Sequence, residues 1–183
     1  MPAAETGAMA DVPEGIVLKR NRDLEGRDWH IWLRRALVAF PFATLLVLAL
    51  FNVFGQRPQT DIATSSPATL KVYAPTHLRG GLLWQARFHI NAVQDVKDAR
   101  LVLGPGWLEG MTLNTLEPTP IGEASENGKL ALDLGHIRAG HEYLLFLQFQ
   151  TNPTNVGRRT RTIALYDGKT RLLGINQTVT IFP

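Results

Sequence analysis

Between Ala36 and Phe54 the chain reads ALVAFPFATLLVLALFNVF, nineteen residues without a charge. As an α-helix this run is about 28 Å long, close to the ~30 Å hydrocarbon core of a bilayer. Thr44 and Asn52 are its only plainly polar members, and Pro41 falls near its start, where a missing N–H costs least. A surface helix of a soluble domain keeps a polar face over such a length. The run therefore predicts one transmembrane helix over 36–54. It divides the chain into a tail (1–35), a polar linker (55–67) and a domain (68–183).

The flanks give the run a direction. Lys19, Arg20, Arg22, Arg27, Arg34 and Arg35 precede it, whereas Arg57 is the one cation close behind it. Lys and Arg concentrate on the cytoplasmic flank of a span, so the tail is expected in the cytoplasm and the domain outside the plasma (inner) membrane. Residues 1–18 are small, acidic and interrupted by Pro and Gly, which predicts disorder up to the basic, aromatic end of the tail. Trp29 and Trp32 sit at i, i+3 just before the run, a headgroup-layer position and a candidate contact with a partner membrane protein. An n-region of 35 residues is long for a cleaved signal peptide, and FNVFGQRP lacks a small-x-small cleavage site. A retained signal anchor is expected.

From Ala68 onward, short runs with period-two alternation are separated by turn residues. They are 68–75, 83–90, 99–104, 128–135, 142–151, 158–168 and 169–182. In LWQARFHI (83–90), Trp84, Ala86, Phe88 and Ile90 share one face; in GKLALDLG (128–135), Leu130, Leu132 and Leu134 do. Asp167-Gly168 marks a hairpin between the last two runs. Seven strands at regular spacing with few helix signals predict a mainly β domain, a seven-stranded antiparallel β-sandwich.

Within it, LDLGHIRAGHEYLLFLQFQ (132–150) resembles the signature half of the immunoglobulin-like conserved repeats of microbial surface proteins, through Leu134, Gly135, Ile137, Ala139 and Gly140. DARLVLGPGWLEGM (98–111) is similar to that family's strand leading into a Pro-Gly element. The resemblance implies an exported immunoglobulin-like sandwich used for display or adhesion-like contacts, and it brings no catalytic residues with it. Independently of any family, Gly135 and Gly140 flank a connection that needs positive φ.

Chemistry is sparse. The chain has no cysteine, which excludes disulfides, thiol nucleophiles, Cys-held iron–sulfur clusters and blue copper. His136 and His141 share a loop with Asp133 and Glu142, too few ligands at too loose a spacing for a metal site. No G-x-S-x-G elbow and no phosphate-binding glycine loop occurs. Basic residues (19) barely exceed acidic ones (16) and are scattered, unlike a nucleic-acid-binding face. No catalytic, metal or cofactor site is expected. Contact surfaces are. In strand 142–151, Leu144 and Phe146 point away from the core face; with Trp107 and Leu108 on the loop after Gly104-Pro105-Gly106 they form a candidate partner interface. Arg158, Arg159, Arg161, Lys169 and Arg171 share one hairpin and are candidates for contact with an anionic surface. The expected function is a membrane-anchored accessory or scaffold subunit of a membrane complex. The alternative is an extracytoplasmic ligand-binding or sensing module with a pocket among loops 104–111, 122–128 and 135–141.

Overall fold

The computed structural model describes residues 29–53 and 55–183, so the reading of the tail up to residue 28 lies outside the described residues. The chain separates into two compact units between Val47 and Leu48.

Helix α1 spans Trp29–Leu50, 22 residues. It begins earlier than Ala36 because WHIWLRR contains neither Gly nor Pro, and it ends before Phe54. Pro41 is therefore an interior residue and not one of the first turn, which leaves the Leu37 carbonyl without its usual donor. The Thr44 hydroxyl donates to the Phe40 carbonyl at 2.9 Å, the i−4 back-bond of a helical Thr, and does not reach the Leu37 carbonyl. None of the helix is buried, and Leu50 is 87% exposed. Its length and composition suffice to cross a bilayer.

The second unit is built from ten strands: β1 (Arg57–Thr64), β2 (Ala68–Arg79), β3 (Leu83–Ala92), β4 (Val96–Leu103), β5 (Met111–Glu117), β6 (Gly122–Glu126), β7 (Lys129–Ile137), β8 (Glu142–Thr151), β9 (Gly157–Asp167) and β10 (Thr170–Phe182). They form one sheet in the order β5-β8-β3-β2-β10-β9-β4-β7-β6, with β1 paired to β2. All seven expected runs are strands, but the sheet has three more, and it is mixed: β2 and β10 run parallel over His77–Arg79 and Thr180–Phe182. The expected seven-stranded antiparallel count is corrected accordingly.

Strand β2 links the two halves of the sheet. Residues 68–73 pair with β3, and 77–79 pair with β10. Pro75, which has no N–H to offer a ladder, lies between these stretches. The sheet curls about this point, and its inner face encloses the core. Arg161 on β9 consequently reaches the Trp84 ring on β3, although β10 and β2 stand between those strands. Alternation places the core as expected, with Trp84, Ala86, Phe88 and Ile90 on β3, Leu130, Leu132 and Leu134 on β7, and Leu145, Leu147 and Phe149 on β8 all buried.

The segment expected as a linker contains β1, which runs antiparallel to β2 from Pro58 opposite Pro75 to Thr64 opposite Thr69. RPQTDIAT has no apolar alternation because it supplies backbone pairing at the β2 edge, and little else. Asp61 accepts a hydrogen bond from Gln177 of β10. The stretch 122–128, expected as a loop, is β6 and a two-residue turn. Asn127 (φ +51°) and Gly128 (φ +71°) adopt the left-handed pair that matches hairpin twist. The Asp167-Gly168 hairpin forms as expected, and Gly135 and Gly140 both have φ +77°.

Candidate binding surfaces

The loop after β4 does not carry an exposed aromatic. Pro105–Trp107 is a 3₁₀ turn lying against β9, where the Gly104 N–H donates to the Thr162 carbonyl at 2.8 Å. Gly104 and Gly106 permit this approach. A Cβ on the first would lie 2.0 Å from Thr162 Oγ1, and on the second 2.1 Å from the Thr160 carbonyl oxygen. Trp107 is thereby driven fully into the core, against Trp84, Phe88 and Phe149 at ring separations of 5.9, 5.5 and 5.7 Å. It is corrected from partner contact to core residue, and Leu108 is a half-buried residue packed on that core. Gly106→Ala is expected to lower stability by about 1–3 kcal/mol, because the turn must lift off β9. A shifted urea midpoint with an unchanged m-value checks this.

Arg161 is the second correction. It has the same parity as the buried Ile163 and Leu165, and it is 0% exposed. Its guanidinium lies 4.9 Å from the Trp84 ring centroid and 4.6 Å from that of Trp107, and it donates to the Pro75 carbonyl. Nε and Nη1 have no hydrogen-bond partner, nor does Trp107 Nε1. Desolvation pushes the Arg161 pKa down to about 9. The side chain is unavailable to an anionic surface. Arg159 is also committed, donating to Asn155 Oδ1 and Glu109 Oε2, each at 3.0 Å. Arg158, Lys169 and Arg171 remain exposed. The expected five-cation cluster is therefore reduced to three.

Leu144 and Phe146 do face away from the core, and both are half-buried. What covers Phe146 is a cation and not a loop: the Arg87 guanidinium lies 5.8 Å from its centroid and 5.6 Å from that of Tyr73. Trp29 and Trp32 are exposed near the start of α1, and Trp29 belongs with the His30 ring at 4.5 Å. They are part of the first compact unit, whereas Leu108, Leu144 and Phe146 belong to the second.

His136 lies 3.8 Å from Asp95, and His141 Nδ1 lies 3.3 Å from the Ala139 carbonyl oxygen. Among the described residues no three His, Asp or Glu side chains converge as metal ligands would. Depressions open on the sheet's outer face; one takes Ala124 and Asn127 of the expected loop 122–128 into its lining and another takes Gly104, while 135–141 lines neither. The first, of about 430 Å³, lies over β4, β7 and β9, with Lys129, Tyr166 and Lys169 in its lining. Single-strand alternation shows which residues face outward; it does not show which of them stand side by side, and this surface was missed for that reason.

Fold and surfaces together define a curled β-domain on a chain that carries one exposed apolar helix. No protein-family model and no curated protein matches the chain. Among solved structures it is similar to an inactive mutant of the GH20 exo-β-N-acetylglucosaminidase of Vibrio harveyi, at 12% identity and a TM-score of 0.31, over 69% of this chain and 18% of that one. It is also similar to the same enzyme in complex with N-acetylglucosamine, at 13% identity, a TM-score of 0.25 and the same coverage. The chain spans about a fifth of the length of those enzymes.

Proposed function

We propose that this protein is a single-pass membrane protein whose β-domain lies outside the plasma (inner) membrane and serves as an accessory or scaffold subunit of a membrane complex. The observation that carries the reading is α1: 22 residues, none buried, at the N-terminal side of the β-domain. A helix so apolar and so uncovered needs lipid as its solvent. The excess of Lys and Arg before it directs the tail to the cytoplasm. The contact face is the outer side of β8 with Leu144 and Phe146, and kinship with immunoglobulin-like display domains belongs to the same reading. Leu45→Lys is expected to add about 3 kcal/mol to insertion and to move the intact chain into the alkaline carbonate supernatant. Release of the unaltered chain by the same treatment overturns the anchor. A photo-crosslinker at Leu144 is expected to capture a stoichiometric membrane protein, and a crosslink-free chain at native expression overturns the scaffold role. The alternative, a ligand-binding module, is favoured by one surface, the trough over β4, β7 and β9.

A further inference from the structure

The outer face of β6, β7, β4, β9 and β10 carries a trough that the accessory role does not use. Two depressions, of about 430 and 280 Å³, share Val102, Lys129 and Tyr166 and so adjoin one another. Pairing registers explain the shape. Ala124 stands opposite Ala131, Ala131 opposite Val102, Val102 opposite Ala164, and Ala164 opposite Gly174. This low cross-strand row is an open floor of about 14 Å from Ala124 to Ala164, from ~4.8 Å per strand, and it ends under Arg171 at Gly174. The neighbouring row on one side holds Arg100, Tyr166 and Arg171. Lys129, Thr162 and Asn176 line the other side.

Part of the charge on the walls is unspent. Lys169 and Arg171 have no acidic partner within 4 Å among the described residues, whereas Arg100 is paired with Asp133 at 2.5 Å. Of the acidic groups nearby, Asp167 accepts the Asp98 backbone N–H at 2.8 Å, and Glu126 stands opposite Lys129 in register. Gly174 also positions a cation. A Cβ there would lie 2.0 Å from Arg171 Nη2, so the guanidinium rests over the bare Cα.

We propose that this trough binds a linear anionic polysaccharide, one carrying carboxylate or phosphate groups along its length. The cations answer the acidic groups, while Asn127, Thr162 and Asn176 offer uncharged partners for hydroxyls. The small floor and the Tyr166 ring offer apolar surface to sugar ring faces. An acidic peptide would use the cations alone, and a single-stranded nucleic acid would call for several stacking aromatics where the trough has one.

The test uses the full-length protein in detergent micelles and a hexameric oligogalacturonate as probe, followed by calorimetry. Binding is expected, weakening with salt, and the carboxyl-reduced hexamer is expected to bind at least about tenfold more weakly. The double substitution Lys129→Gln with Arg171→Gln should cost about tenfold or more, and Ala131→Phe should abolish binding by filling the floor. Arg158→Gln, outside the trough, should leave affinity unchanged. No binding of the hexamer, equal binding of its reduced form, equal binding of polyglutamate or of oligo-thymidylate, or indifference to the double substitution would each overturn the proposal. No partner protein takes part in this assay, so its failure leaves the scaffold reading standing, and loss of the scaffold reading leaves this one standing.

Discussion

Trp107→Ala will cost the β-domain about 3–5 kcal/mol, a large fraction of the stability of an ordinary domain. Trp107 is the bulkiest fully buried side chain among the described residues. Its removal forfeits the transfer energy of the indole and three aromatic contacts, each worth about 0.5–1.5 kcal/mol beyond area. The void would not close readily, because its walls belong to β3, β8 and β9, which are fixed by their own ladders. Arg161 would also lose one of the two rings that solvate its charge. Urea unfolding of the full chain in micelles, followed by near-ultraviolet circular dichroism, measures the effect. Trp32→Ala, at an exposed position on α1, is the matched control and should leave the midpoint unchanged. A loss under about 1 kcal/mol at Trp107 would return the indole to the surface, where the sequence pattern had placed it.

That misplacement shows where sequence and structure part company. Strands β3, β7 and β8 were legible because each has one face in the core, and burial imposes period two directly on the residues. β1, β5 and β6 were not: MTLNTLE and GEASE are edge strands of the order, and RPQTDIAT pairs only with β2. Edge positions place few side chains in the core, so their backbone pairing leaves little mark on composition. Trp107 was hidden for another reason. Glycines beside a proline signal a turn, and the same glycines also permit the close approach that buries the next residue. For Arg161 the signal was present. Alternation through Ile163 and Leu165 put it inward, and its charge argued against a burial that two indole faces make tolerable.

Arg161→Met should leave the domain within about 2 kcal/mol of the parent's stability at pH 7, although a charge is removed from the core. The pKa of about 9, far below that of a free guanidinium, corresponds to a penalty of the order of 5 kcal/mol for holding the charge in the core. Against that, the substitution loses two cation–π contacts of about 1–2 kcal/mol each. It also leaves the Pro75 carbonyl unpaired, at about 1–3 kcal/mol. Methionine refills the stem volume, whereas Arg161→Ala opens a cavity as well and should destabilise by about 2 kcal/mol. The sign with pH follows from proton counting. From about pH 9 up to the pKa of a free guanidinium the unfolded chain holds a proton on this group that the folded chain has released, so the parent gains stability as pH rises through that window. Below pH 9 both states are protonated and the penalty is constant. The Met variant lacks this contribution, while its lysines and tyrosines titrate as in the parent. Its stability relative to the parent should therefore fall by about 2 kcal/mol between pH 7 and pH 10.5. A difference between the two proteins that stays flat over that interval would mean that the guanidinium keeps its proton and its solvent, and that the indoles do not enclose it.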